Sequence, residues 1–280
     1  MPSMYGDLDR PPLHADALRR ALVTPDALWT EVEVVDESPS TNAVLVDRAR
    51  STDDDGVVLV AEHQTAGRGR LDRTWTTPAR SGLTLSVLVR PTAVEPARWP
   101  WLPLMVGLVV AASLRDQAGV AAAVKWPNDV IVDDRKVAGI LVERVERVGG
   151  AARAPAAVVG IGLNVSLRED ELPVPTATSL VLEQATMTDR SQLARALLRT
   201  FERLYGGWLR TGGDPAQGLR AAYVHACATI GRRVRVELVG GQVATGDAVG
   251  VDPLGRLLVR TAQGEQAFGA GDVVHLRGAT

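Results

Sequence analysis

Apolar positions along this chain change their spacing several times, and each change marks an element. Glu31–Asp36 alternates apolar and charged residues like a half-buried strand, and Thr41–Arg50 then places Val44, Leu45 and Ala49 at helical spacing. Val57–Glu62 is a continuous apolar run of strand length, and Leu83–Val89 alternates apolar with small polar residues. A long helix is predicted near Leu102–Gln117. Its apolar stretch, Leu102–Leu114, is too short to span a bilayer and reads as buried. Val130–Val132 and Val137–Val142 predict a hairpin turning at Asp133-Asp134-Arg135, and Ala157–Val165 predicts another strand. Ser191–Trp208 is an amphipathic helix with Leu193, Leu197, Leu198, Phe201 and Leu204 on one face, and Pro215–Cys227 predicts a second helix.

Two shifts divide the chain. Residues 1–30 are polar, carry Pro2, Pro11, Pro12 and Pro25, and have room for one short helix around Ala15–Val23. Beyond Ile230 the pattern breaks into short strands between Gly and Asp turns: Val234–Leu238, Val243–Val249, Leu257–Thr261, Gln266–Gly269 and Val273–Leu276. Such a tail predicts a small β-barrel of about 50 residues. The expected fold class is α+β, with an N-terminal extension over 1–30, a mixed domain over 31–229 and a small β domain over 230–280.

Composition narrows the function classes. An apolar fraction of 46% beside a charged fraction of 23% is that of a soluble globular protein, and 280 residues can fill a substantial core. A net charge of −2 argues against bulk, nonspecific nucleic-acid binding. Cys227 is alone, so no intrachain disulfide forms, and a cytoplasmic location is expected. The N-terminus shows no apolar h-region of a secretory signal. The four histidines have no metal-ligand spacing, so no protein-bound metal is expected. Cys227 itself reads as a small buried hydrophobe.

Lysine usage points to chemistry. Lys125 and Lys136 are the only lysines among 31 basic residues, and they share one segment that begins Lys125-Trp126-Pro127-Asn128-Asp129. A compact ammonium can direct all its charge at one oxygen, which favours chemistry on an anion. Pro127 imposes an extended or turn conformation on Trp126. Asn128 and Asp129 stand at the mouth of a strand, with Lys136 on the next.

A second candidate is the loop Gly67-Arg68-Gly69-Arg70-Leu71-Asp72-Arg73-Thr74-Trp75, preceded by Gln64. Its glycines would let backbone N–H groups approach an anion, and its arginines add charge. It is neither a Walker loop nor a dinucleotide fingerprint. Ser38-Pro39-Ser40-Thr41-Asn42 offers hydroxyls and an amide before a helix, the composition of an N-cap. In Gly160-Ile161-Gly162-Leu163-Asn164, strand glycines suggest close approach of a ligand or another backbone.

In order and spacing, these four segments resemble the biotin–protein ligases across roughly residues 30–280. The resemblance rests on Ser40-Thr41-Asn42, Gln64 with Gly67-Arg68-Gly69-Arg70, Lys125-Trp126-Pro127-Asn128-Asp129, Lys136-x-Ala138-Gly139, and Gly160-x-Gly162-x-Asn164. It implies a catalytic domain related to class II aminoacyl-tRNA synthetases with flanking helices, and a C-terminal SH3-like barrel. The implied reaction joins biotin, through biotinyl-5′-AMP made from ATP with Mg2+, to a lysine of a biotin carboxyl carrier domain. Ser40, Thr41, Asn42, Gln64, Arg68, Gly69, Arg70 and Lys136 would then bind biotin. Arg70, Arg73, Trp75, Asn128, Lys136 and Asn164 would bind ATP. Lys136, Arg70 and Asp129 would be catalytic, with Asp129 orienting the incoming lysine and Mg2+ carried by ATP.

Asp72 stands where the family loop usually has glycine. About 35 residues precede Ser38, too few for the family's N-terminal DNA-binding domain, so no nucleic-acid partner and no membrane are expected. Two alternatives stay open: a lipoate or octanoate ligase of the same fold, and a non-catalytic biotin- or nucleotide-sensing module.

Overall fold

The computed structural model describes residues 10–146, 154–238 and 240–276. Helix α1 (Ala15–Leu22) precedes β1 (Glu31–Ser38), and α2 (Thr41–Ser51) crosses from β1 to its parallel neighbour β2 (Val57–Gln64). From β2 onward every pairing between strands of this sheet is antiparallel. Strands β3 (Gly82–Val89), β7 (Ala156–Asn164), β6 (Arg135–Val145), β5 (Asp129–Val132) and β4 (Ala123–Lys125) complete a seven-stranded sheet in the order β1-β2-β3-β7-β6-β5-β4. The β5–β6 hairpin turns on Asp133 and Asp134, both in the left-handed region at φ 47 and 63, as a tight two-residue turn requires.

One face of the sheet presents Val58, Val60, Leu83, Leu85 and Val87 to a core shared with α3 (Trp101–Ala118) and α4 (Arg190–Arg210). Helix α3 is apolar on all sides and stops at Gly119, left-handed at φ 67. On the other face α2 buries Leu45, Val46 and Ala49 against Val57, Leu59, Leu88 and Val158. Val44, expected on the inner side, is exposed, because the buried stripe runs 41, 42, 45, 46, 49.

That second face changes character along the strands. Leu88 pairs with Val158, then Ser86 with Gly160, then Thr84 with Gly162, which also pairs with Gly139. The apolar surface under α2 thus gives way to hydroxyls and glycines.

The extension is tied to the sheet. Leu13, Leu18, Leu22 and Trp29 join the main core. The buried Arg190–Glu62 pair, at 2.5 Å, also receives the chain itself: Leu13 N–H donates to Glu62 at 2.5 Å and Arg190 to the Pro11 carbonyl at 2.6 Å. The first nine residues of the expected extension lie outside the described residues, as do 277–280 of the expected β domain.

The C-terminal part is a five-stranded antiparallel sheet ordered β11-β10-β9-β8-β12, built from β8 (Arg233–Glu237), β9 (Val243–Val251), β10 (Leu257–Thr261), β11 (Gly264–Phe268) and β12 (Asp272–His275). The indole N–H groups of Trp101 and Trp126 donate to the carbonyls of Pro253 and Gly255 at 2.8 and 3.1 Å. The second predicted helix is shorter than expected, α5 (Leu219–Ala226), because Gly218 is left-handed at φ 105. Among the described residues no helix is long and apolar enough to cross a membrane.

Candidate active site

A cavity of about 300 Å³ lies over the hydroxyl and glycine part of the sheet, with Thr84, Ser86, Gly139, Gly160 and Gly162 in its lining. The 65–81 loop reaches over it, and Glu237, Asp272, Val273 and Val274 of the C-terminal sheet stand at its edge. Side chains, and not another backbone, come close to the two strand glycines. A Cβ on Gly160 would lie 2.2 Å from Asn42 Oδ1, and one on Gly162 would lie 2.4 Å from the Trp75 ring. Asn42 and Trp75 can approach the sheet this closely only because these positions have no side chain.

At one end the polar groups are small and neutral. Ser40 caps α2, its Oγ accepting from Ala43 N–H at 3.4 Å. Gln64, last in β2, turns Oε1 back to accept from the Thr41 N–H at 2.8 Å, with the Thr41 hydroxyl oxygen 3.0 Å away. Thr41 also contacts Ser86 Oγ at 2.7 Å, and Ser86 donates to Asn42 Oδ1 at 2.6 Å. Ser40, Thr41, Asn42 and Gln64 therefore do meet in one place.

The other end is cationic. A bulge at Val137 shifts the β5–β6 register, so that Lys136 and Gly139, three apart, both face the cavity; a regular strand would send them to opposite sides. Lys136 Nζ lies 2.6 Å from Asp129 Oδ1 and 5.8 Å from the centre of the Trp75 ring. Its backbone is clamped by the 176–178 segment, through Lys136 N–H to Thr176 O at 2.7 Å and Thr178 N–H to Lys136 O at 2.8 Å. Lys125 pairs in register with Asp129 and lines the same cavity. Burial pushes its ammonium below the ordinary lysine range, against the pull of Asp129. Arg70 donates to Asn128 Oδ1 at 2.8 Å, while Asn128 Nδ2 donates to the Ile140 carbonyl at 2.9 Å. Burial also lowers Arg70, opposed by Asp272 and Asp129.

The loop is folded back on itself. Gly69 N–H donates to Arg73 O at 2.7 Å and Trp75 N–H to Gly67 O at 2.9 Å. The Gly69 N–H that was expected to meet an anion is thus used inside the loop, although Gly69 still lines the cavity. The arginines splay to separate partners: Arg68 to Glu143 at 3.0 Å, Arg70 to Asn128, and Arg73 to Asp272 of the C-terminal sheet. Leu71 and Asp72 are left-handed at φ 53 and 58, which explains a preference for glycine at position 72 and why aspartate, tolerant of that region, can stand there. The buried Trp75 Nε1 has no hydrogen-bond partner among the described residues.

Asn164 is not brought into the lining. It is buried at the end of β7 and donates to the Thr178 carbonyl at 2.9 Å, which makes it a tie for the 178–180 segment. Ser86 in the lining, Glu143 beside it and Asp272 from the other sheet escaped sequence reasoning, and Lys125, noticed for its rarity, had been given no role in the site. The alternation of Leu83–Val89 and the rarity of lysine were signals for Ser86 and Lys125. Nothing local marks the others.

Comparison with known proteins agrees with this geometry. Residues 33–164 match the biotin/lipoate A/B protein ligase family and residues 229–276 match the biotin protein ligase C-terminal domain. The chain is 43% identical over 272 residues to the biotin–[acetyl-CoA-carboxylase] ligase of Mycobacterium tuberculosis, covering 96% of this chain and 97% of that protein. It is 30% identical to the bifunctional ligase/repressor BirA of Bacillus spizizenii over 84% of this chain and 70% of BirA. The solved biotin protein ligase of Aquifex aeolicus in complex with biotin and ATP superposes with a TM-score of 0.74 at 27% identity, over 89% of this chain and all of that one. This chain belongs to the biotin/lipoate A/B protein ligase family, in the form that carries the biotin protein ligase C-terminal domain.

Proposed function

We propose that the protein is an ATP-dependent biotin–protein ligase. The observation that carries this reading is the polarity of one cavity, with neutral donors and acceptors at Thr41, Gln64 and Ser86 at one end and Lys125, Lys136 and Arg70 at the other. A neutral heterocycle with a carboxylate tail fits that gradient. In the first half-reaction a carboxylate oxygen of biotin attacks the α-phosphorus of ATP, the bond to the leaving oxygen breaks, and pyrophosphate departs with the electron pair. Two anions must meet, so fixed cations that need no reorganisation lower the barrier. Lys136 is placed to bridge the carboxylate and the phosphate, with Arg70, held by Asn128, beside it. Arg68, Arg73 and Trp75 close the loop over the adenylate, and Mg2+ enters as the ATP complex.

In the second half-reaction the amine of an acceptor lysine attacks the acyl carbon and AMP leaves. That amine must first lose its proton, and Asp129, at the strand mouth, is the carboxylate to receive and orient it. The acceptor is a biotin carboxyl carrier domain. We assign a class II aminoacyl-tRNA synthetase-like catalytic domain to 31–229, with the extension packed on it, and an SH3-like barrel to 230–280. A cytoplasmic site of action keeps Cys227 reduced.

Mass spectrometry after mixing the protein with ATP·Mg2+ and biotin, lipoate or octanoate tests the reading. Biotinyl-5′-AMP alone is expected. Equal adenylation of lipoate or octanoate would favour the other branch of the fold, and no adenylate at all a sensing module.

A further inference from the structure

Glu143 lies on β6 opposite Val158, two residues beyond Leu141 on the cavity face of the strand and outside the lining itself. Its carboxylate holds two groups at once. Oε1 receives Arg68 of the loop at 3.0 Å, and Oε2 accepts from Asn42 Nδ2 at 2.9 Å. From Asn42 the contacts run inward through Ser86 at 2.6 Å and Thr41 at 2.7 Å to Gln64 Oε1 at 3.0 Å.

The hydrogens in this chain have forced positions. An ionised carboxylate only accepts, so it draws the NH2 side of the Asn42 amide and turns Oδ1 toward Ser86. That oxygen also only accepts, so Ser86 gives it its single hydrogen. Two oxygens 2.7 Å apart need a hydrogen between them, and Ser86 has none left. The hydrogen of the Thr41 hydroxyl therefore lies within the protein, toward Ser86. What Thr41 can offer a ligand is lone pairs. Gln64 Oε1 is engaged as well, by the Thr41 N–H at 2.8 Å, which leaves its Nε2 as a donor.

We propose that Glu143 is a positioning residue that acts through Asn42 and Ser86 to fix Thr41 as a hydrogen-bond acceptor, so that the site selects a ring bearing an N–H. The inference rests on the ligase reading, in which that ring is the cyclic urea of biotin. Without the carboxylate, Asn42 Nδ2 keeps only a long contact of 3.4 Å to the Leu141 carbonyl, so the amide can turn over, Ser86 is released and Thr41 can donate. The same carboxylate anchors Arg68, so the ring pocket and the loop share one support.

Glu143→Gln keeps the shape and removes the charge. Biotin-dependent pyrophosphate exchange gives KM for biotin, for an analogue methylated on the ureido nitrogen, and for ATP. Expected are a rise of about tenfold in KM for biotin and a loss of preference for biotin over the methylated analogue by a similar factor, while any change in KM for ATP reads the release of Arg68. Ser86→Ala breaks the chain without touching Glu143 or Arg68 and should erode the preference likewise, which keeps the test alive if Glu143→Gln does not fold. A purely structural role would lower the yield of active protein and leave the preference intact. Wild-type preference in Ser86→Ala, or in folded Glu143→Gln, overturns the proposal. Absence of exchange in the wild-type protein would sink the ligase reading instead, and calorimetric binding of biotin and of the methylated analogue would then still decide the role of Glu143.

Discussion

Gly162→Ala places a single methyl group under Trp75. The new Cβ would lie 2.4 Å from Trp75 Cε2 and 2.7 Å from Cζ2 and Nε1. Carbon atoms settle at about 3.5–4.0 Å, so something must withdraw by roughly 1 Å. The strand cannot sink, because β7 is paired on both sides, Gly162 to Thr84 and to Gly139. The ring cannot slide along the loop easily, because Trp75 N–H is bonded to Gly67 O at 2.9 Å, and Gly67 has no room of its own, a Cβ there falling 2.2 Å from Trp75 O. If the strain is held in place, overpacking should cost about 1–3 kcal/mol of stability. If the ring lifts instead, the groups it packs against move by about 1 Å, a displacement that can lower the rate on the order of 100-fold. Thermal unfolding of the free protein reads the first outcome and biotin-dependent pyrophosphate exchange the second. Adding Trp75→Ala to the Gly162→Ala background should restore the lost stability, since the two positions interact directly. Unfolding and exchange both at wild-type values in Gly162→Ala would refute the idea that Trp75 lies on the glycine floor.

Lys136→Arg keeps the charge, but its planar fork replaces an ammonium 2.6 Å from Asp129 and 3.1 Å from a Cβ position on Gly139. Pyrophosphate exchange should fall by about two orders of magnitude, comparable to losing one preorganised donor. Trypsin should cut the free protein after Arg68, Arg70 or Arg73, and biotin with ATP should suppress that cleavage; identical digestion with and without ligand would mean the loop is no lid. A third expectation concerns acid. Burial, then Lys125 and Arg232, push the His275 pKa down to about 4. The unfolded chain takes up that proton near pH 6.5, so stability that is fully present above about 6.5 is lost as pH falls through about 4, up to about 3 kcal/mol. His275→Gln should flatten this limb in urea titrations at pH 7 and pH 4.5.

What could be read from the sequence was whatever a local pattern encodes. Helices α3 and α4, strands β2, β3 and β7 and the β5–β6 turn all have unambiguous periods, and the structure has them within two residues. The site segments that carry fixed local motifs line one cavity, because Ser40, Gln64, Arg70, Asn128 and Lys136 each sit at the end of a strand or in a connection beside one. Strand β4 was hidden by its length, since three residues hold too little alternation to see. Lys125 drew notice for its rarity but not as a lining residue, because its place follows from pairing with Asp129. Glu143 and Asp272 were illegible for a different reason: each acts on the site from another strand, and only the register of the sheets brings them to Asn42 and Arg73. Asn164 holds its motif position, but its side chain is turned to the 178–180 segment by a contact that no local pattern marks.

The edge strand β4 is closed off by the very chain that leads into the second sheet. Val124 bridges in parallel to Cys227, and its carbonyl accepts the N–H of Ala228 at 2.9 Å. A covalent connector thus doubles as a sheet neighbour. The two units are for this reason poor building blocks: severing the chain near 228 would do more than detach a module, for it would uncover an unpaired strand edge able to recruit another molecule. Split reporters or domain transplants from this scaffold should divide it elsewhere, and a graft of the C-terminal sheet should carry residues 226–230 along with it.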